Sequence, residues 1–145
     1  MSGEAAILGP GHGRKFWTSL SYGAVKVEPG DADFSVFESS PPPGAPGPAP
    51  HAHRSYDEAW FIIEGTVEFL LDGRHERQVA GGFVFVPRGV THSFANPGPG
   101  QARILVIGSS LAQAMVEEIG RLAQENRLTK ENVADVYQRF DSELR

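Results

Sequence analysis

Residues 41–50, PPPGAPGPAP, hold six prolines in ten positions, and each proline removes a backbone N–H and fixes φ near −65°. Neither a helix nor an interior strand can cross such a stretch. It therefore reads as a semi-rigid surface loop that delivers the chain to His51. Proline and glycine punctuate the rest as well, 11 and 17 residues of 145, so the elements between them are short. Runs rich in β-branched and aromatic residues fall at 17–21, 24–28, 34–38, 59–64, 66–71, 77–80, 83–87, 92–96 and 102–108. Their spacing predicts an all-β, sequentially antiparallel fold, with the sharpest hairpin at Asp72-Gly73.

Runs such as Trp60-Phe61-Ile62-Ile63 and Phe83-Val84-Phe85-Val86 are apolar at both parities, whereas a half-exposed sheet would alternate. One face can line a barrel or sandwich interior. The other needs C-terminal helices or a second copy, and a homodimer is expected. Beyond Ser109 the period lengthens. Leu111, Met115, Ile119 and Leu122 mark an amphipathic helix capped by Ser109 or Ser110, and Thr129 opens a second one with Glu131 in its first turn and Val133, Val136, Tyr137 and Phe140 along one side. Both helices read as structural packing.

A chain of 145 residues makes one domain. A net charge of −5 argues against nucleic acid as a partner, which would call for a basic patch. The longest apolar run, residues 59–63, is far below the roughly 20 residues that span a bilayer, so no membrane contact is expected. The amino terminus lacks a basic segment followed by an apolar one, so no secretory signal is read and a cytoplasmic location is expected. With no cysteine, any metal must sit on nitrogen and oxygen.

Histidine placement carries the chemistry. On a strand, residues i and i+2 share a face, so His51 and His53 can set two imidazoles side by side, with Glu58 and Gly65 following. Downstream, Gly81, Pro87, Gly89, His92 and Asn96 recur at fixed intervals, and the Pro-x-Gly turn aims the strand of His92. A lone histidine on an apolar strand is usually structural. Three with a carboxylate suggest a cation site.

These residues resemble the two motifs of the cupin family. The first runs His-x-His, four residues, Glu, six residues, Gly (His51, His53, Glu58, Gly65), and the second runs Gly, Pro, Gly, His, Asn with five, one, two and three residues between (Gly81, Pro87, Gly89, His92, Asn96). The resemblance implies a cupin jelly-roll β-sandwich barrel with two short C-terminal helices: one domain over residues 1–145, with an N-terminal arm at 1–15, a barrel at about 17–108 and a helical tail at 110–142. It also implies that His51, His53, Glu58 and His92 ligate one divalent transition metal through which the three histidines act. Zinc is favoured, with iron, nickel or manganese as alternatives, while an oxygen-only calcium cage is excluded.

His12, between two glycines, is a further candidate, as an extra ligand that displaces Glu58 or as a proton shuttle; His75 reads as a solvated hairpin residue. By parity Trp60 and Ile62 share the face of Glu58, and Phe94 that of His92; Phe34, Val36, Phe83 and Phe85 are candidates for the same interior. Such apolar walls suit a hydrophobic aromatic or polyketide small molecule better than a sugar phosphate. The pattern resembles the small cupins of bacterial aromatic polyketide pathways. That implies a metal-dependent polyketide cyclase closing rings in a poly-β-ketone by aldol-type chemistry, with hydroxide on the metal as the expected base and Tyr56, Asp57 and His12 as secondary candidates. Alternatives are a quercetinase-like dioxygenase and a non-catalytic binding cupin.

Overall fold

In the computed structural model, residues 4–145 are described. Along the chain run β1 (Arg14–Trp17), β2 (Tyr22–Val27), β3 (Ser35–Ser39), β4 (His51–His53), β5 (Glu58–Glu64), β6 (Thr66–Leu71), β7 (Arg74–Val79), β8 (Phe83–Val86), β9 (His92–Ala95), β10 (Arg103–Gly108), α1 (Ser110–Gln124), α2 (Lys130–Arg139) and β11 (Ser142–Leu144). The named strands form a six-stranded sheet, β1-β2-β3-β10-β5-β8, and a five-stranded sheet, β11-β4-β9-β6-β7. All their pairings are antiparallel, and the two sheets make the expected jelly-roll sandwich.

Parity decides what fills the interior. Trp60 and Ile62 on β5, Val67 and Phe69 on β6, Val84 and Val86 on β8, and Ile104 and Val106 on β10 are buried together. The β6–β7 hairpin turns on Asp72 and Gly73, both at positive φ (46° and 80°), the signature of a type I′ turn. Gly65 lets the chain leave one sheet for the other: its φ is 80°, and a Cβ there would meet the Gln101 carbonyl oxygen at 2.4 Å. Asn96, the last motif residue, pins the proline-rich loop. Its Nδ2 donates to the carbonyls of Pro41 and Gly100, both at 2.9 Å, and its Oδ1 accepts from Gly98 N–H at 2.8 Å.

Three expectations need correction. Residues 18–21 are a turn rather than strand; the strand precedes them as β1 and begins within the expected arm, at Arg14. The segment His51–His53 gains an unexpected neighbour, β11, paired Ser142↔His53 and Leu144↔His51; the polar Ser-Glu-Leu run carries no period to betray it. On β3 the inward residues are Ser35 and Phe37, so Val36 faces outward, and Phe34 just before the strand is 49% exposed. Likewise Phe83 and Phe85 lie on the outer face of β8, 57% and 58% exposed, while Val84 and Val86 point in. In runs apolar at both parities, composition cannot choose the face.

Both helices cap as expected, Ser109 accepting from Ala112 N–H and Thr129 from Asn132 N–H. Met115, Leu122, Val136 and Tyr137 form their own small core. The helices lie against β1, β3 and β11, over one end of the barrel.

Candidate metal centre

Four buried side chains meet at that end. His51, His53, Glu58 and His92 each offer a ligand atom, all within 4.8 Å of one another. His51 and His92 are cross-strand partners on β4 and β9, His53 shares the face of His51, and Glu58 reaches across from β5 in the opposite sheet. Pairing of β4 with β9 and the closure of the two sheets therefore assemble the cluster.

Hydrogen bonds fix which imidazole nitrogen faces the centre. His51 Nδ1 donates to the Ala49 carbonyl at 2.8 Å and His92 Nδ1 to the Val90 carbonyl at 3.0 Å. A carbonyl can only accept, so both Nδ1 atoms carry the proton. His53 Nδ1 lies 2.5 Å from Ser142 Oγ, and Ser142 donates onward to the Phe140 carbonyl at 3.1 Å, so His53 takes the same tautomer. The Nε2 atoms of His53 and His92 then face Glu58 Oε2 at 2.9 and 3.1 Å. In neutral imidazoles these are bare lone pairs turned on a carboxylate oxygen, an arrangement that repels unless positive charge lies among them. Donor atoms around a first-row divalent ion with bonds near 2.1 Å sit about 3.0–3.4 Å apart. The distances from His53 and His92 to Glu58 Oε2, and the donor chemistry of the set, fit such an ion.

The electrostatics agree. Burial, then the neighbouring charges of His92 and His53, push His51 down to about 3, so its imidazole stays neutral. Burial would raise Glu58, but positive charge at the His53 and His92 side of the cluster, on the protonated rings or on a cation in their place, outweighs it and holds the carboxyl below the ordinary range. A neutral imidazole and an ionised carboxylate are the ligand forms a metal requires.

The remaining candidates are placed elsewhere. His12 is exposed on the segment before β1, where its carbonyl accepts from Lys26 Nζ at 2.6 Å; it is not among the clustered ligands, and with Gly13 closely packed on the Val25 carbonyl the segment is held to β2, away from the cluster. His75 is exposed beside Glu68. The Tyr56 ring stacks on His53, centroids 4.4 Å apart, and its hydroxyl lies 3.0 Å from Ser142 Oγ and 3.2 Å from the Phe140 carbonyl. Asp57 is taken up by Arg88 outside the barrel.

A cavity of about 600 Å³ leads outward from His51 and Glu58. Trp60 and Phe94 line it as expected. Ile62 points inward but is fully enclosed in the core, and Phe37, with Val106, takes the place foreseen for Phe34 and Val36. The helices are more than packing: Met115, Val116 and Ile119 of α1 and Val133 and Tyr137 of α2 wall the cavity, and the proline loop adds Pro48 and Pro50. The polar exceptions include Lys130 and Arg145, on the exposed side.

Residues 37–108 match the family model described as a cupin domain, so this stretch, with its place in the two-sheet barrel, is a cupin domain. Among solved structures it is similar to the polyketide cyclase RemF from Streptomyces resistomycificus, with TM-score 0.62 and 22% identity over 72% of this chain and 79% of that one. It is also similar to a sugar phosphate isomerase of the cupin superfamily from Silicibacter pomeroyi, with TM-score 0.52 and 29% identity over 55% of this chain and 52% of that one. A curated relative, acetate kinase EutQ of Clostridioides difficile (strain 630), is 35% identical over 43 residues, 30% of this chain; the match spans 27% of that protein.

Proposed function

We propose that this cupin is a metal-dependent cyclase of poly-β-ketone substrates, with zinc the favoured ion. The observation that carries the reading is the cavity: about 600 Å³ with mostly apolar walls, and with His51 and Glu58 of the four clustered ligands in its lining. Phe37, Trp60, Phe94 and Met115 present hydrocarbon over most of the walls, while the start of α2 at Thr129 and Lys130, with Arg145, adds polar and cationic groups only on the exposed side. The likeness to RemF supports the same direction.

When bound, a divalent ion supplies electrophilic polarisation of a ketone oxygen, which acidifies the neighbouring methylene. The chain's own contribution is positional. Trp60 and Phe94 from the barrel, with Met115 and Val133 from the helices, confine a flexible chain to few folds. Confinement of that kind supplies several kcal/mol otherwise lost as entropy.

The test is to supply a nascent poly-β-ketone to zinc-loaded protein without oxygen and identify the products. Ring-closed isomers at unchanged oxidation level are expected, and their loss in His92→Ala. Turnover that requires dioxygen would turn the assignment to a quercetinase-like dioxygenase, and tight ligand binding without turnover to a binding cupin.

A further inference from the structure

Polar groups at the inner end of the cavity are almost all committed. The three imidazole Nδ1 atoms donate to Ala49, Ser142 and Val90, and the Tyr56 hydroxyl is engaged with Ser142 and Phe140. Tyr137 differs. It is 2% exposed, its ring meets that of His51 at a centroid distance of 5.0 Å and an angle of 65°, and it lines the cavity with His51, Glu58 and Trp60. Yet its hydroxyl makes no hydrogen bond to any described residue. The hydroxyl is not sealed off from the cavity, so it can donate to whatever the cavity holds, and phenylalanine would pack the same ring without offering that donor. Trp60 Nε1, on another residue of the lining, is a buried donor without a partner among the described residues; indole nitrogen donates only, so it asks for an acceptor.

We propose that the Tyr137 hydroxyl is the hydrogen-bond donor that seats a carbonyl oxygen of a planar or enolic ligand beside the metal cluster, making Tyr137 a recognition residue contributed by α2. The inference deepens the cyclase reading by naming the group that selects ketones over hydrocarbons of the same shape. It rests on the cavity being the ligand site.

The experiment compares anthraquinone-carboxylate with anthracene-carboxylate, tricycles of one shape of which only the first carries ring carbonyls. Binding to zinc-loaded protein is read by quenching of tryptophan fluorescence. Tyr137→Phe is expected to weaken the quinone about three- to tenfold, the range one hydrogen bond supplies, and to leave the hydrocarbon within about twofold and the melting temperature unchanged. Equal weakening of both ligands would make Tyr137 a packing residue, and an unchanged quinone affinity would leave its hydroxyl facing cavity water; either overturns the proposal. The infrared carbonyl stretch of the quinone bound to the wild-type protein gives a check independent of the variant: a shift to lower frequency is expected, and a free-carbonyl position overturns the assignment. None of these readouts needs turnover, so a protein that passes them but leaves poly-β-ketones open fails as a cyclase while the Tyr137 assignment stands.

Discussion

Ser142 shows how a residue outside the ligand set can govern it. By accepting from His53 Nδ1 and passing its own proton to the Phe140 carbonyl, it keeps the His53 Nε2 lone pair turned inward. Outer partners of ligating histidines are worth about 10–100-fold in metal affinity, so Ser142→Ala is expected to raise the zinc dissociation constant by at least about tenfold, measured by competition with a chromophoric chelator. An unchanged constant would show that packing alone orients the ring. The same cluster sets a pH dependence. His51 titrates at about 3 in the folded protein against an ordinary 6.5, so between these values the unfolded chain binds more protons. The stability due to neutral His51 is therefore present above about pH 6.5 and lost as pH falls toward 3, with Glu58, also held below its ordinary 4.5, adding a loss of the same sign lower down. Urea unfolding of metal-free protein is expected to show this fall, at most about 1.4 kcal/mol per pH unit for each group, and His51→Gln is expected to flatten it between about pH 6.5 and pH 5. A wild-type stability that is level across that range would refute the account.

At the scale of elements, the proline loop, the turn after β9 and the helices decide the cavity's shape. Asn96 ties the first two together through three hydrogen bonds with Pro41, Gly98 and Gly100. Asn96→Ala would remove all three bonds, the one to Pro41 buried and the other two half-buried, and is expected to cost roughly 2–3 kcal/mol, read as a lower denaturant midpoint; a change under about 0.5 kcal/mol would mean water replaces the side chain without loss. The ligand strands were legible in the sequence because His51, His53, Glu58 and His92 sit at spacings that strand periodicity turns into a shared face. The walls were legible only in part. Trp60 and Phe94 could be placed because a ligand on the same strand sets their parity, but β3 carries no ligand, so nothing distinguished Val36 from Phe37. Tyr137 looked like one more residue of a helical stripe, since its role depends on where α2 docks rather than on its own period. The three residues of β11 pair with β4 through backbone bonds that leave no trace in side-chain pattern.

For the whole molecule, the issue is what covers the outer face of the six-stranded sheet. The helices lie over the barrel end, against β1, β3 and β11, and leave β8 as a sheet edge. Phe61, Phe83 and Phe85 stand outward there, 39%, 57% and 58% exposed. Paired Phe61↔Phe83 and Ala59↔Phe85, they make an apolar patch beside free backbone donors and acceptors, a surface that invites another strand. A two-fold pairing of β8 with β8 of a second copy would continue the antiparallel sheet and bury the phenylalanines of both chains at once, which is the self-complementarity a symmetric dimer needs. Sedimentation at micromolar concentration is expected to give a dimer mass. Phe85→Glu, at a site where the side chain supports nothing inside the barrel, is expected to yield a folded monomer with its metal affinity intact. A wild-type monomer would show that this face stays open to solvent or awaits a different protein, and a variant that still dimerises would move the interface elsewhere. The distinction bears on the site as well, because β8 pairs directly with β5, where Glu58 faces Val86; an interface that stiffens β8 holds the one ligand that comes from this sheet.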